Sequence, residues 1–194
     1  MENKKELREI ILEGTLSVFC EKGMKFTMDD IAIHLGMSKK TIYKAFRDKE
    51  SMFLATVDYL FDSIKESEQE VVMDENLGTV EKIRNILGAF PERYKNVDFQ
   101  KLSQLREKYP NVYQRVEKRL ETGWEKTFAL MEQGIEEGVI RPINIPLFKM
   151  MMEVTLEQFF QRDILIQNHI LYADALNEVV TILVDGIQNK SLIK

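Results

Sequence analysis

The stretch "TMDDIAIHLGMSKKTIYKAF", residues 27–46, predicts two short helices joined by a tight turn. Thr27, followed three residues later by Asp30 and then by an apolar run, is a capping-box pattern that starts the first helix. Gly36 ends this helix, because glycine readily adopts the left-handed backbone conformation that a tight turn needs. Ser38 is a typical cap for the second helix. Together these signals predict a helix-turn-helix.

The second of these helices has an apolar inner face and a polar outer face. Ile42 and Phe46 are four residues apart, so they can face inward together. Such a helix fits the DNA major groove, which is about 12 Å wide. Lysines and hydroxyl groups can contact phosphates and base edges there. The polar side chains available for this contact are Lys39, Lys40, Thr41, Tyr43 and Lys44.

The charge of the chain is strongly segregated. The whole chain has a net charge of −5 and a pI near 5.3. Residues 22–49 carry seven basic and three acidic side chains, a net charge of +4, so the rest of the chain carries −9. A short helix with lysines can also be an ordinary solvated surface. The capping box, the glycine–serine spacing and Tyr43 favour nucleic-acid binding, and the acidic pI does not argue against it.

The composition predicts an all-α protein. The 194 residues are 44% hydrophobic and 30% charged, which allows one large domain or a small domain fused to a larger one. Nine glycines, four prolines and long runs with helical spacing favour helices throughout. The single cysteine excludes an internal disulfide. The charged N-terminus and the lack of a run of about 18 apolar residues lead us to expect a cytoplasmic protein without a membrane span.

The rest of the chain predicts further helices, about nine in all. The first ends at Gly23, and a long amphipathic helix starts after the cap Asp48. The others are predicted at Thr79 to about Tyr94 with a kink or an end near Pro91, at 98–109, at Pro110 to about Ile135 as one long helix, at Pro146 to about Ile166, and at Tyr172 to Gln188.

The segment "FTMDDIAIHLGMSKKTIYKAFRDKESM", with the preceding "ILEGTLSVFCEKG", resembles the tetracycline-repressor (TetR) family of prokaryotic transcription regulators. The resemblance covers roughly residues 7–54, and the rest of the chain resembles the family only in helical layout and length. It implies a three-helix helix-turn-helix DNA-binding domain over 1–50 and a larger helical effector-binding and dimerisation domain over 51–194. The residues at family-like spacing are Phe19, Gly23, Thr27, Ile31, Ala32, Gly36, Ser38, Thr41, Tyr43, Phe46, Lys49 and Glu50.

The resemblance also implies roles for individual residues. Thr27 is expected to contact a phosphate, and Lys49 is expected to grip the DNA backbone from the start of the fourth helix. Lys40 and Ala45 depart from the family pattern, so the operator sequence cannot be taken from a relative. The full set of expected DNA contacts is Thr27, Ser38, Lys39, Lys40, Thr41, Tyr43, Lys44 and Lys49.

The last two predicted helices are candidates for a homodimer interface. Helix-turn-helix proteins of this kind bind palindromic operators in double-stranded DNA as dimers. Two helices from each subunit would form a four-helix bundle. The alternative is that the apolar stripes of these helices pack only inside one subunit. The predicted interface residues are Phe148, Met152, Thr155, Leu176, Val180, Leu183 and Ile187.

The resemblance places a small-molecule effector among the middle helices. Each apolar residue there can also be plain core. The chain contains only two histidines, His34 and His169, and one cysteine, Cys20. These are too few for a zinc site, so we expect no metal and no cofactor. The candidate pocket residues are Leu105, Tyr109, Tyr113, Trp124, Phe128, Met151 and Phe159.

The leading interpretation is a dimeric repressor that a small apolar ligand releases from its operator. A second is a DNA-binding protein of the same fold that responds to a protein partner. An open cavity in the regulatory domain favours the first, and a closed, filled core favours the second. An enzyme is not expected, because no nucleophile–base pair, glycine-rich phosphate loop or metal cluster is visible in the sequence.

Overall fold

The computed structural model describes residues 2–90 and 105–189, apart from the side chains of residues 2–4 and 160. This part of the chain is all-α, as predicted. It forms nine helices of seven residues or more and two single helical turns, α6 and α10. The helices are α1 (Glu2–Lys22), α2 (Met28–His34), α3 (Lys39–Ala45), α4 (Lys49–Met73), α5 (Thr79–Leu87), α6 (Leu105–Lys108), α7 (Pro110–Glu121), α8 (Glu125–Glu136), α9 (Ile145–Gln161), α10 (Ile164–Gln167) and α11 (Tyr172–Ile187).

The helix starts near the N-terminus follow the predicted caps. The Asp30 N–H donates to the Thr27 hydroxyl at 3.2 Å, and the Thr27 N–H donates back to the Asp30 carboxylate at 2.7 Å. The Ser51 N–H donates to Asp48 at 2.7 Å and so caps α4. These bonds satisfy backbone donors that a helix leaves free in its first turn.

Helices α1–α3 and the start of α4 form one small unit, which we call the head. Helix α1 packs against α2, α3 and α4. Phe19, Phe26 and Phe53 are buried and make edge or tilted ring contacts with centroids 5.3–6.4 Å apart. Buried Ile42 of α3 and Phe46, the residue that follows this helix, join the same core, as predicted.

Helix α4 extends from the head into the rest of the molecule. Its 25 residues span about 37 Å. Its later turns pack against α5 and α7, while α5 packs against α8 and α11. The chain from α11 is tied back to the segment after α8, since the Arg141 N–H donates to Ile187 and the Asn189 N–H donates to Val139, both at 3.0 Å.

The prediction of one long helix from Pro110 is wrong, because the helix is interrupted between α7 and α8. Gly123 has φ +81°, a left-handed conformation that ends α7. A Cβ on Gly123 would lie 2.7 Å from Cε of Lys65. The carbonyl of Gly123 accepts a hydrogen bond from the Lys65 ammonium at 2.7 Å. The break therefore brings this turn directly against α4.

Three other helix ends differ from the prediction or lie outside the described residues. Helix α5 ends at Leu87, with Gly88 as its cap, and does not reach Tyr94. Helix α9 ends at Gln161, and α10 is a separate turn. The predicted end at Pro91 and most of the predicted helix over 98–109 fall outside the described ranges. In the parts that the structure covers, no helix is both long and apolar enough to cross a membrane.

The aromatic core of the head predicts a clear stability effect. Replacing buried Phe26 with alanine should lower the free energy of unfolding by about 3–5 kcal/mol, because it removes a large buried ring and leaves a cavity. The matched control is Ile33→Ala on α2, whose side chain is 79% exposed and should change stability by less than about 0.5 kcal/mol. Urea unfolding followed by circular dichroism measures both. Equal effects of the two substitutions would contradict this assignment of the core.

Candidate nucleic-acid interface and ligand cavity

The turn between α2 and α3 has the predicted geometry. Gly36 adopts φ +61°, and the Met37 N–H donates to the Ala32 carbonyl at 2.9 Å. Ser38 then caps α3 by accepting the Thr41 N–H at 3.2 Å. A residue with a Cβ is strained at this φ, so glycine suits the turn. The two helices are thereby fixed as a helix-turn-helix.

All eight side chains predicted to contact DNA lie on the head. Six of them are exposed, and Thr41 and Lys49 are half-buried. The Thr27 hydroxyl donates to the Asp30 carboxylate at 2.8 Å, and the Ser38 and Thr41 hydroxyls are 2.9 Å apart. Thr27 and Ser38 therefore cap α2 and α3 at the surface, and the contact of these hydroxyl groups with a phosphate stays a prediction.

The lysines of α3 differ in their surroundings. The Lys39 ammonium is 2.8 Å from the Asp29 carboxylate on α2, and this hydrogen bond raises the pKa of Lys39. Lys40 and Lys44 are exposed and take part in no ion pair within the described residues. The cationic character of the α3 surface therefore comes mainly from Lys40 and Lys44.

Lys49 is held by the head itself. Its ammonium donates to the carbonyl oxygens of Met24 at 3.0 Å and Phe26 at 2.6 Å. It also lies 3.9 Å from the centroid of the Phe26 ring, a cation–π contact. An ammonium has three donors, so one is left for a phosphate. Lys49 thus joins the start of α4 to the segment between α1 and α2, and its contact with DNA stays a prediction.

Comparison with known proteins agrees with this geometry. Residues 11–56 match the family described as "Bacterial regulatory proteins, tetR family". Over 177 residues the chain is 25% identical to the uncharacterized HTH-type transcriptional regulator YvaF of Bacillus subtilis, covering 91% of this chain and 93% of that protein. Residues 11–56 therefore carry the DNA-binding domain of the TetR family of bacterial regulators. Helices α2 and α3 are the helix-turn-helix of this domain.

Solved structures of the TetR family share the fold of the whole chain. A TetR transcription regulator from Haloarcula marismortui superposes with a TM-score of 0.74 at 17% identity, covering 95% of this chain and all of that one. A regulator from Cytophaga hutchinsonii gives a TM-score of 0.70 at 18% identity, with 97% and 98% coverage. The layout of a helix-turn-helix head and a larger helical part is therefore that of the family.

A cavity of about 160 Å³ lies inside the larger helical part. It is bounded by α1, α4, α5, α7, α8, α9 and α11. Most of its wall is apolar, with Phe53, Phe61 and Leu156 among the lining residues. Lys65, Glu68 and Thr127 also border it. The core between these helices is therefore not completely filled.

Of the seven residues predicted for a pocket, Trp124 alone lines this cavity. Met151 is 48% exposed at the surface. The other five pack against other parts of the protein. The interruption at Gly123 and the rotation of each helix about its axis determine which side chains line the cavity. Leu105 is core, Tyr109 packs on Phe53, Tyr113 accepts a hydrogen bond from Gln161, Phe128 packs on Trp124, and Phe159 packs on Tyr172.

Helix α4 provides a wall of the cavity that was not among the predicted pocket residues. Residues of α4 line the cavity at spacings of three and four along most of the helix. The signal in the sequence is a pair of charged residues, Lys65 and Glu68, within this otherwise mainly apolar stripe. The α4 lining residues are Phe53, Thr56, Val57, Leu60, Phe61, Ile64, Lys65 and Glu68.

Most of the residues predicted for the dimer interface lie inside the subunit, and the interface itself stays a prediction. Phe148, Met152, Leu176, Val180 and Ile187 are buried within the subunit, where they pack α9 and α11 into the core. Leu183 and Thr155 are half-buried, and the Thr155 hydroxyl donates to the Met151 carbonyl at 2.7 Å. The exposed apolar residues on these helices are different ones: Leu147, Met150, Met151, Val154 and Ile182.

Two capping carboxylates of the head are held in their ionised form. Hydrogen bonds from Lys22 and Thr27 lower the pKa of Asp30 from 3.8 to about 2. The backbone N–H of Ser51 and the side chain of Arg47 lower the pKa of Asp48 by the same amount. Because the folded pKa lies below the unfolded one, each carboxylate stabilises the head above pH 3.8. This contribution is lost as the pH falls towards 2.

The double variant Asp30→Asn, Asp48→Asn tests this pH dependence. It should be less stable than the parent at neutral pH, but its stability should fall less between pH 3.8 and about 2. Urea midpoints from circular dichroism across that interval measure the difference. Glu70→Gln, at an exposed position on α4, is the control and should follow the parent. A double variant whose curve runs parallel to that of the parent would show that these caps do not titrate with unfolding.

Proposed function

We propose that this TetR-family regulator is a homodimeric repressor that binds a palindromic operator and is released by a small apolar ligand in the cavity. The observation that carries the proposal is the place of the cavity. Its wall includes residues of α1 and α4, the two helices that also build the head. A ligand that changes the packing of α4 in the cavity therefore acts on a helix that holds the DNA-binding element.

The route from cavity to head passes through aromatic side chains. Phe19 and Phe53 line the cavity, and both rings contact Phe26 in the head. Phe26 in turn lies under the Lys49 ammonium, which is bonded to the segment leading into α2. Close-packed cores transmit small displacements, because side chains have few alternative arrangements. A shift of Phe53 is thus expected to change the position of α3, the second helix of the helix-turn-helix.

The cavity favours a ligand over a protein partner as the regulator. A volume of about 160 Å³ compares with the roughly 150 Å³ of an engineered apolar cavity that binds benzene. A filled core would have supported the interpretation in which a protein partner controls the head. We accordingly assign residues 1–50 to DNA binding and residues 51–194 to ligand binding and dimerisation.

The dimer face proposed here uses the outer sides of α9 and α11. Leu147, Met150, Met151 and Val154 form an exposed apolar stripe on α9 at spacings of three and four. Ile182 on α11 is 62% exposed. Members of the family dimerise, and two such helices from each subunit would bury these stripes in a four-helix bundle. The inner faces of the same helices are already used within the subunit.

DNA selection tests the operator. Sequences selected from random DNA by the purified protein should share a two-fold symmetric site. On that site Lys44→Ala should weaken binding by about 1–3 kcal/mol and relax preference at one base pair, if Lys44 reads a base edge. An equal loss on specific and random DNA would assign Lys44 to a phosphate. Glu70→Gln, on the exposed side of α4, is the control. Selection that yields no symmetric site would count against a dimeric operator complex.

A charge on the exposed stripe tests the dimer. Val154→Glu should produce monomers at micromolar concentration, because dimerisation would bury an unpaired carboxylate. Sedimentation velocity measures the change. Met73→Glu, at a 70% exposed apolar position at the end of α4, is the matched control and should leave the dimer intact. If the Val154 variant sediments as the parent does, the interface lies on another surface.

A further inference from the structure

One end of the cavity is polar and the other is apolar. The α4 lining runs from Phe53 to Glu68, a distance of about 22 Å along the helix. Phe19 and Phe53 lie at the end near the head. Lys65, Glu68 and Thr127 lie at the far end, beside the turn between α7 and α8. A molecule lying along α4 therefore meets apolar side chains at one end and polar groups at the other.

The polar end contains an ion pair whose carboxylate is buried and whose ammonium is half-buried. Glu68 is only 4% exposed, and the Lys65 ammonium donates to its two carboxylate oxygens at 2.7 and 2.8 Å. Lys65 also donates to the Gly123 carbonyl at 2.7 Å, so its three donors are all used. A carboxylate has about four acceptor sites. Glu68 therefore keeps acceptor capacity beside the cavity, and Lys65 keeps no donor.

Thr127 provides a second polar group. It is 3% exposed and borders the cavity one helical turn beyond Gly123. Among the described residues its hydroxyl makes no hydrogen bond. Thr56, which also lines the cavity, differs, because its hydroxyl donates to the Met52 carbonyl at 2.9 Å. Thr127 borders the cavity and its hydroxyl is not tied to a protein partner in the described part of the chain, so it is suited to a hydrogen bond with a bound molecule.

The charge balance of this end selects against ions. Lys65 and Glu68 compensate each other, and Arg119, which also lines the cavity, pairs with Asp58 and Asp62, so the described lining residues present no unpaired charge to a ligand. An anionic head group would meet the acceptor-only carboxylate of Glu68, and Lys65 has no donor free for it. A cationic head group would have to be desolvated beside the Lys65 ammonium. An uncharged hydroxyl group avoids both costs, because it can donate to Glu68 and accept from or donate to Thr127.

We propose that the cavity binds uncharged, elongated apolar molecules that carry a hydroxyl group, with the hydroxyl at Glu68 and Thr127 and the apolar chain directed towards Phe53. This proposal rests on the proposed function in taking the cavity as the effector site. The volume of about 160 Å³ suits a chain of about six carbons, since benzene fills a similar cavity. The ligand class is thus a medium-chain alcohol or a larger molecule that presents such a group.

The test compares four six-carbon probes on the free protein. Trp124 lines the cavity, and its fluorescence reports binding. The probes are 1-hexanol, its isomer methyl pentyl ether, hexanoate and hexylammonium. The alcohol should bind about five- to tenfold more tightly than the ether, which has the same atoms but no O–H donor, and both ions should bind more weakly than the alcohol. Equal affinity for alcohol and ether, tighter binding of either ion, or no binding of the alcohol would overturn the proposal.

A matched pair of variants tests the assigned residue. Thr127→Val keeps the shape of the side chain and removes its hydroxyl, so it should weaken the binding of hexanol at least threefold. Its urea midpoint should equal or exceed that of the parent. Thr15→Val is the control, because Thr15 is buried, donates to the Ile11 carbonyl and is not among the cavity-lining residues. An unchanged affinity for hexanol in Thr127→Val would refute the assignment.

Failure of this inference can be separated from failure of the proposed function. The titrations use free protein and involve no DNA. If hexanol binds with the expected preference but operator affinity does not change when hexanol is bound, the ligand class stands and ligand-induced release is wrong. If operator affinity falls with every probe regardless of its head group, release stands and the hydroxyl assignment is wrong.

Discussion

The packing of α4 against α1 is the constraint on which the rest of the structure depends. One helix of 25 residues supplies the fourth helix of the head and the longest wall of the cavity. A continuous helix is stiff over this length, because each residue is bonded to the turn before it. The head and the cavity therefore cannot change their packing on α4 independently. Lys49 lies at the N-terminal end of α4. Its ammonium donates hydrogen bonds to the carbonyl oxygens of Met24 and Phe26 and so fixes this end of the helix to the head.

Because the head and the cavity share α4, the proposed regulation is an equilibrium between two arrangements of this helix. A ligand shifts an equilibrium only if it binds one arrangement of α4 more tightly than the other. By linkage, operator DNA must then weaken ligand binding by the same factor that the ligand weakens operator binding. The rings of Phe19 and Phe53 touch both the cavity and the head core, so they are where the two arrangements must differ.

Positive and negative net charge are concentrated in different parts of the chain. Residues 22–49 carry +4 and the rest of the chain −9. Several cations of the head are already engaged, since Lys39 pairs with Asp29 and Lys49 bonds carbonyl groups. This leaves Lys40 and Lys44 as the cations of α3 without an ion pair in the described part of the chain. Because like charges repel, we expect the acidic remainder to disfavour approach of the larger helical part to phosphates.

The sequence by itself determined the helical fold, the helix-turn-helix and the family, because these depend on residues close together in the chain. The caps at Thr27, Ser38 and Asp48 join groups three residues apart, so the pattern alone identifies them. Only the tertiary structure decided which face of α9 is buried. This helix has apolar residues on both sides, Phe148 and Met152 inward and Met150 and Val154 outward, and periodicity cannot choose between them.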